Sequence, residues 1–298
     1  MRGAPNPTAE APFTAADLGF SVLPDGGWRK PVGDRLVAFR PLRRLPELIP
    51  VEALQREVFG VSDRDLLAAS ALVTLPETGG EVIAAFVAAA PEPVGFVVGW
   101  GGYREGRPIL VSDMLGVRAT ARAAGLGAEL KKLQAAVALE RGFPEMTWTV
   151  DPLRAANARL NLEKLGAVAD RYEVDRYGGG YGAGLYGGLP TDRLHLTWPL
   201  HDRRVRDRLL GRTRPIVPAD VSGLPRYAPG LAAPRALVPL PADIDRLLAD
   251  DLDAALRWRL ALRETLRTAF DEGYAVTGFV ADRALGEATY VLERMPAP

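Results

Sequence analysis

Cysteine is absent from this sequence, and histidine occurs only twice, at His195 and His201. Without cysteine there can be no disulfide, no thiolate-bound metal ion and no cysteine nucleophile. Two histidines also argue against a multi-histidine metal site and most catalytic triads, so no metal is expected. The apolar runs are shorter than the roughly 18 residues that cross a bilayer, and the first residues lack a signal-peptide pattern. We therefore expect a cytoplasmic protein that does not bind membranes.

An excess of either charge is missing as well, because 37 lysine and arginine residues balance 37 aspartate and glutamate residues. A nucleic-acid partner held by a general electrostatic field is therefore not expected. What the chain does contain is an ordinary globular composition, 48% hydrophobic and 25% charged, which is enough to bury a sizeable core. The length of 298 residues suggests two domains, or one large domain with an appendage.

Changes in composition divide the chain into four predicted parts. Proline, glycine and alanine dominate the first part, whereas charge and then proline and glycine dominate the third. In the other two parts, apolar residues recur at helical or strand spacing. The parts are an extended N-terminal arm over residues 1–33, a main domain over 34–200, a charged helix and connection over 201–241, and a helix with two strands over 242–298.

The most informative stretch runs from Leu110 to Gly142, where an apolar strand leads through a turn into a long amphipathic helix. The turn has the pattern R-x-x-G-x-G, with Arg122, Gly125 and Gly127. No serine, aspartate or asparagine precedes the helix to bond its first N–H groups. Free amides at a helix start, next to glycines that allow close approach, favour a phosphate or pyrophosphate site.

A second polar pattern follows in the next strand and helix. In the strand EMTWTVDP, Thr147, Thr149 and Asp151 share one face. In the helix ANARLNLEKLG, Asn157 and Asn161 lie one turn apart on one face. Further on, the glycine run over residues 178–188 is interpreted as a slack loop or a lid.

The order of predicted elements in residues 36–200 is strand, two helices, three strands, the R-x-x-G-x-G helix, strand, helix and two strands. This order and its two motifs, the turn and the Asn-bearing helix that ends K-L-G, resemble the GNAT superfamily of acyl-CoA-dependent N-acyltransferases. SDMLGV, WTVDPL, NARLNLEKLGA and GLPTDR further resemble a bacterial subgroup of predicted acetyltransferases. The resemblance implies an α+β fold with a GNAT-type mixed, mostly antiparallel twisted sheet, helices on both faces and a small C-terminal α/β extension.

The resemblance also implies a co-substrate, acetyl-CoA or another acyl-CoA. Its pantetheine arm is expected where the strand before the turn splays from the next strand, with oxyanion donors among the backbone N–H groups of residues 114–117. The expected cofactor-binding residues are Leu115, Val117, Arg122, Gly125, Gly127, Ala128, Asn157 and Asn161.

Two carboxylates compete for the role of general base, because an amine arrives protonated and must lose a proton before it attacks. Asp113 interrupts an apolar strand, where burial should raise its pKa, although a buried structural carboxylate fits equally well. Asp151 is the second candidate, and it could instead cap the following helix. Family members often carry a tyrosine general acid where this chain has Leu162, and Tyr172 or Tyr177 could substitute.

The sequence therefore predicts an N-acyltransferase that moves an acetyl or succinyl group to a primary amine of a small molecule, such as an amino acid. The transfer would occur by direct attack in a ternary complex. The alternative is a non-catalytic coenzyme A-binding or regulatory module with the same fold. The C-terminal helix and strands could build a homodimer interface or complete the acceptor pocket, and both roles stay open.

Overall fold

The computed structural model of this chain describes residues 12–87, 91–122, 124–178, 187–282 and 287–296. Within these ranges, apolar and polar residues alternate along extended segments that join into a single sheet. Its strands are β1 (Ser21–Val22), β2 (Trp28–Val32), β3 (Arg35–Pro41), β4 (Glu81–Val87), β5 (Gly95–Arg104), β6 (Arg107–Val117), β7 (Glu145–Val150), β8 (Val168–Glu173), β9 (Arg193–Pro199), β10 (Arg235–Pro241), β11 (Tyr274–Asp282) and β12 (Glu287–Arg294).

The strands lie in the order β1-β2-β3-β4-β5-β6-β7-β9-β8-β11-β12-β10. Every neighbouring pair is antiparallel except β6 and β7, which are parallel. A single residue pair, Val276 with Ala169, joins β11 to β8, so the last three strands continue the same sheet. The expectation of a mixed, mostly antiparallel sheet is confirmed.

Helices cover both faces of this sheet, as expected. Along β4, Val82, Ala84 and Phe86 pack toward the two helices that follow β3, whereas Ile83 and Ala85 belong to the core on the opposite face. The helices are α1 (Leu45–Phe59), α2 (Ala69–Leu72), α3 (Ala119–Arg122), α4 (Leu126–Glu140), α5 (Ala155–Ala158), α6 (Arg203–Leu209), α7 (Ile244–Asp250) and α8 (Leu252–Asp271), and α5 continues into a π-helical turn, Arg159–Lys164.

The described part of the predicted N-terminal arm does not project as an arm but packs against the main domain. Phe13, Leu18 and Phe20 are buried in the main core, and a hairpin of β1 and β2 extends the sheet beside β3. The expectation was wrong from residue 12 onward because these strands have only two and five residues, too few to show a period.

The predicted connection over residues 213–241 also contains a strand, β10, whose Ala236, Val238 and Leu240 are buried. The sequence did not predict this strand because Pro239 and Pro241 are unusual residues within a strand. They are tolerated because β10 is the last strand of the sheet, with β12 as its neighbour in the strand order.

Two smaller expectations also changed. The second of the two helices predicted between the first strand and the three strands is reduced to α2. The C-terminal helix is divided into α7 and α8, and the side chain of Asp251 caps α8 by accepting from the N–H of Ala254 at 2.8 Å. The glycine run interpreted as a loop or lid lies outside the described residues over 179–186. No helix in the described ranges combines the length and apolar character that a membrane span requires.

Candidate active site

The candidate site is a cleft between β6 and β7. The two strands share only two residue pairs, Leu110 with Met146 and Val111 with Thr147. Beyond Val111, β6 continues to Val117 with β5 as its paired neighbour, while β7 turns toward β9. A cavity of about 530 Å³ opens where the strands part, so the splay implied by the family resemblance is confirmed.

Asp113 lies on the wall of this cleft because of a bulge in β6. Val98 pairs with Met114 and Gly99 with Ser112, which leaves Asp113 as the extra residue in the ladder. Surrounding protein raises the pKa of its carboxyl, while the Trp100 indole N–H and the charge of Arg176 act in the opposite direction. Solvent still reaches the Asp113 side chain through the cleft.

The turn after β6 exposes backbone amides at the start of α4. Gly125, with φ of 82°, precedes the helix in the left-handed region, and no side chain caps the helix. The N–H groups of Ala128 and Glu129 donate to the Gly125 carbonyl at 3.0 and 3.4 Å. Among the described residues, which omit Ala123, the N–H groups of Leu126 and Gly127 have no backbone acceptor.

The prediction of free amides thus has structural support at Leu126 and Gly127. The N–H of Ala128 already donates inside the turn, and the expected role of Ala128 in binding the cofactor stays a prediction. Gly127 lies against the end of β6: a Cβ built on it would be 3.6 Å from Leu115 Cδ2 and 3.7 Å from Val117 Cγ2. The start of α4 therefore adjoins the open end of the splay.

The element order from β3 to β9 is strand, two helices, three strands, the turn and its helix, strand, helix and two strands. It reproduces the order that the family resemblance implies, and it includes one parallel pair that splays beside the glycine turn. The fold is of the GNAT type.

No protein-family model matches this sequence, and no curated protein matches it. Solved structures match part of it. A chain of the NatC complex bound to Gag peptide and CoA is 17% identical, over 55% of this chain and 98% of that chain, with a TM-score of 0.44. An acetyltransferase assigned to the GNAT family from Desulfovibrio desulfuricans is 17% identical, over 55% and 99%, with a TM-score of 0.45. Arabidopsis thaliana Naa50, in complex with the bisubstrate analogue CoA-Ac-MVNAL, is 16% identical, over 54% and 97%, with a TM-score of 0.42.

These likenesses concern the backbone alone, at low identity and low TM-score. The assignment of the fold therefore rests on the strand order and the splay of this chain.

The predicted cofactor-binding residues of β6 and its turn take up different positions. Leu115 lines the cleft, whereas Val117 ends the strand opposite Gly95 and is not among the lining residues. Arg122 is exposed, and its Nε donates to the Val117 carbonyl at 2.9 Å. That bond ties the turn to the end of β6 and leaves the Nη groups of Arg122 without a hydrogen-bond acceptor among the described residues.

The two asparagines of the second motif differ in their hydrogen-bond partners. Asn161 is buried, accepts from the Trp148 indole N–H at 3.2 Å and donates to the Asn157 carbonyl at 2.8 Å. The half-buried Asn157 lines the cleft, and its side-chain amide has no partner within the described ranges. Asn157 is therefore the asparagine that can bond a ligand, whereas Asn161 is held inside the fold.

Asp151 is held by a residue that the sequence did not connect with it. Arg259 of α8 donates to both Asp151 oxygens, from Nη1 at 2.8 Å and Nη2 at 2.9 Å, and both side chains are buried. Asp151 also accepts from the Leu153 N–H at 2.9 Å. A carboxylate with both oxygens engaged in this way is a poor proton acceptor, so the geometry favours a structural role for Asp151.

Of the two tyrosines considered as proton donors, one is unsuitable. Tyr172 donates its hydroxyl to Asp192 at 2.7 Å, and its burial and that carboxylate raise its pKa. It does not line the cleft. Tyr177 does line the cleft, with the Arg193 guanidinium 5.0 Å from its ring centre. Leu162, at the usual tyrosine position, is buried.

Basic side chains around the cleft were missed by the sequence reasoning. The arginines that line it are Arg104, Arg154, Arg171, Arg176 and Arg193. A repeated D-R-Y tripeptide, which contains Arg171 and Arg176, was the one signal that could have pointed to them. Because the lining carboxylates are Asp113 and Asp151, positive charge predominates in the cleft.

His195 lines the same wall but has no free ring nitrogen. Its Nδ1 lies 2.6 Å from Arg171 Nη2, which can only donate, and its Nε2 lies 2.5 Å from a Glu173 oxygen. These partners require the tautomer with the proton on Nε2. Burial lowers the pKa of His195, although Glu173 opposes the shift. In this arrangement His195 cannot accept a proton.

Lys131 forms part of the cleft floor and was also missed. It is buried, with its ammonium 3.6 Å from the ring centre of Trp148. Burial holds its pKa well below the usual value, while Glu81 opposes the shift. Lys131 thus packs against Trp148 of β7, the strand that carries this part of the cleft wall.

Proposed function

We propose that this chain is an acyl-CoA-dependent N-acyltransferase that moves an acetyl or succinyl group to a primary amine of a small molecule. The observation that carries this proposal is the cleft at the β6–β7 splay, with the amides of Leu126 and Gly127, which have no backbone acceptor among the described residues, at the adjoining start of α4. An extended pantetheine arm would fill the splay, and a pyrophosphate would accept from the amides of Leu126 and Gly127. Acetyl-CoA or another acyl-CoA is thus the proposed co-substrate.

The residues of the cleft fit such a ligand. Pantetheine contains two amide groups, and Asn157 presents a half-buried side-chain amide that can both donate and accept. Leu115 provides an apolar wall beside it. Arg122, tied to the end of β6, has Nη groups available for the phosphates.

In the proposed reaction, Asp113 takes a proton from the ammonium of the acceptor, and the free amine then attacks the thioester carbonyl. The new C–N bond forms as the carbonyl oxygen becomes negatively charged, and backbone N–H groups of β6 beside the bulge stabilise that charge. Collapse of this intermediate breaks the C–S bond. The departing thiolate takes a proton, for which Tyr177 is the candidate donor in the cleft, and the second proton that the attacking nitrogen loses as the amide forms replaces the one given by Tyr177.

The charge of the cleft supports an acceptor or acyl group that carries a carboxylate. Arg171, Arg176 and Arg193 lie on the same wall, and arginine pairs with carboxylates in a bidentate geometry. An amino acid as acceptor, or a succinyl group as donor, would satisfy this positive surface. A polyamine acceptor carries several positive charges near neutral pH, and the positive surface of the cleft would repel it.

One observation keeps a second candidate function, a non-catalytic CoA-binding or regulatory module. The usual tyrosine position is occupied by the buried Leu162, and Tyr172 is bonded to Asp192. Such a module would bind acyl-CoA without turnover.

The assay that separates the two functions follows free thiol while the purified protein is incubated with acetyl-CoA or succinyl-CoA and a panel of amines. The panel should include neutral and acidic amino acids, aminoglycosides and a polyamine. We expect thiol release that depends on an amine bearing a carboxylate, or on succinyl-CoA. Binding of either acyl-CoA with no release across the panel would support the module instead.

A further inference from the structure

A second pocket, of about 400 Å³, opens beside the start of α4, and nothing above assigns it a ligand. Gly125 and Ala128 form one wall, next to the amides proposed for the pyrophosphate. The other walls come from β2 and the turn after it, the π-helical turn, α6 and the segment that follows α6. The pocket therefore adjoins the amides proposed for the pyrophosphate, and elements outside the two motifs contribute to it as well.

Cations are concentrated in this pocket. The chain has only four lysines, and three of them, Lys30, Lys132 and Lys164, line it together with Arg208. Glu129 forms ion pairs with two of these, because one oxygen lies 2.5 Å from Lys30 and the other 2.9 Å from Lys132.

The second carboxylate of the pocket is also engaged. Glu163 lies 3.5 Å from Arg159 Nε, on the same helical stretch. Neither Lys164 nor Arg208 makes an ion pair or a hydrogen bond among the residues that the structure describes. Two positive charges thus remain without a counter-ion in contact.

Arg208 provides the strongest argument for an anion-binding role of this pocket. Its Nε and Nη1 are shielded from solvent and have no hydrogen-bond acceptor in the described part of the chain. The side chain lies over Gly166, where a built Cβ would be 3.6 Å from Arg208 Cβ and Cγ, so the backbone of the K-L-G motif supports it. Buried donors without acceptors are costly and rare, and a guanidinium is an especially good donor to phosphate.

We propose that this pocket binds the ribose 3′-phosphate of coenzyme A through Arg208 and Lys164. This inference rests on the proposed function, because CoA carries a second phosphate group beyond its pyrophosphate. A pyrophosphate at the amides of Leu126 and Gly127 leaves the nucleotide end beside Gly125, where the pocket begins. A phosphomonoester dianion matches the two uncompensated cations in charge and the orphan N–H groups in chemistry.

The test measures equilibrium affinity for CoA and for 3′-dephospho-CoA, which lacks only this phosphate, by titration calorimetry. The wild-type protein should bind CoA at least about tenfold more tightly, as expected for charge-assisted hydrogen bonds. Arg208→Gln and Lys164→Ala should weaken CoA binding and leave 3′-dephospho-CoA binding unchanged. Arg203→Gln is the matched control, since Arg203 is an exposed arginine of the same helix that does not line the pocket.

The outcomes distinguish this inference from the proposed function. Equal affinity of the wild-type protein for the two nucleotides would overturn the inference and leave the function intact, whereas failure to bind either nucleotide would overturn both. Adenosine 3′,5′-bisphosphate should compete with CoA, and inorganic phosphate at the same concentration should not. If inorganic phosphate competes equally well, the pocket is a free-phosphate site and the inference is wrong. Lys164 is exposed, so Lys164→Ala tests the pocket even if Arg208→Gln does not fold.

Discussion

The carboxyl groups of Asp113 and Asp151 line the same cleft, but their surroundings suit them to different roles. Asp113 lies in a bulge, is reached by solvent and has a raised pKa. Asp151 is buried and gives both oxygens to Arg259. A general base needs a free lone pair, and a raised pKa makes a carboxylate a better proton acceptor; Asp113 has the raised pKa and forms no ion pair among the described residues.

Replacement of Asp113 by asparagine should therefore lower kcat/KM for acyl transfer by about 100-fold or more. A base works only when deprotonated, so wild-type activity should fall as the pH drops through the raised pKa of Asp113, and Asp113→Asn should lack this limb. The measurement is kcat/KM against pH. Asp250→Asn, at an exposed carboxylate of α7, is the control. An unchanged rate and profile in Asp113→Asn would remove Asp113 from the mechanism.

The sequence could predict those residues whose role depends on nearby chain. Gly125, Gly127 and Asn157 belong to motifs a few residues long, and the structure places all three beside the splay or its turn. The partner of Asp151 could not be predicted, because Arg259 is 108 residues away and its neighbours in sequence show only a helical pattern.

At the scale of elements, the junction of β6 and α4 depends on two glycines that serve different purposes. Gly125 has a φ of 82°, which an L side chain adopts only under strain, although a Cβ there would meet nothing within 4 Å. Gly127 is inside the helix with ordinary van der Waals distances around its built Cβ. Backbone geometry therefore requires glycine at position 125, whereas the contact of helix and strand leaves room for a Cβ at position 127.

Alanine substitutions at these glycines should accordingly have opposite effects on the free energy of unfolding. Gly125→Ala should lower it by about 1 to 2 kcal/mol, because the left-handed conformation is unfavourable with a Cβ. Gly127→Ala should raise it by roughly 0.5 to 1 kcal/mol, because alanine favours the helix. Urea denaturation measures both, and a loss of stability in Gly127→Ala as large as that in Gly125→Ala would contradict this account of the turn.

Elements with a clear period were predictable, and the others were not. The strands and helices from β3 to β9 followed from apolar spacing and turn residues. By contrast, β1 and β2 are very short, and β10 contains prolines that an edge strand tolerates. Hydrophobic periodicity could not show these strands because pairing with neighbours, and not their own pattern, makes them part of the sheet.

At the scale of the whole molecule, the C-terminal elements are joined to the main sheet by buried polar contacts as well as by β11. Arg263 of α8 donates to both oxygens of Asp192 at 2.8 Å, and the Tyr290 hydroxyl donates to the Pro152 carbonyl at 2.7 Å. Arg259 reaches Asp151 in the cleft wall. These contacts support a role of the C-terminal unit in completing the pocket, and the homodimer stays a prediction.

Loss of the buried Arg259 should therefore destabilise the whole protein. Arg259→Met leaves Asp151 charged and buried without its partner, and the free energy of unfolding should fall by about 3 to 5 kcal/mol. Adding Asp151→Asn should restore part of this loss, because it removes the uncompensated charge. Arg257→Met, an exposed arginine of the same helix, is the control. If Arg259→Met unfolds like the wild type in urea, this ion pair does not hold the unit to the sheet.

The splay of β6 and β7 is the feature on which the proposed function depends, and a crystal structure with coenzyme A bound would test it most directly. We expect the pantetheine arm between the two strands, within reach of Asn157, and the pyrophosphate on the amides of Leu126 and Gly127. A structure with coenzyme A bound elsewhere, or with the cleft closed by side chains, would contradict the account.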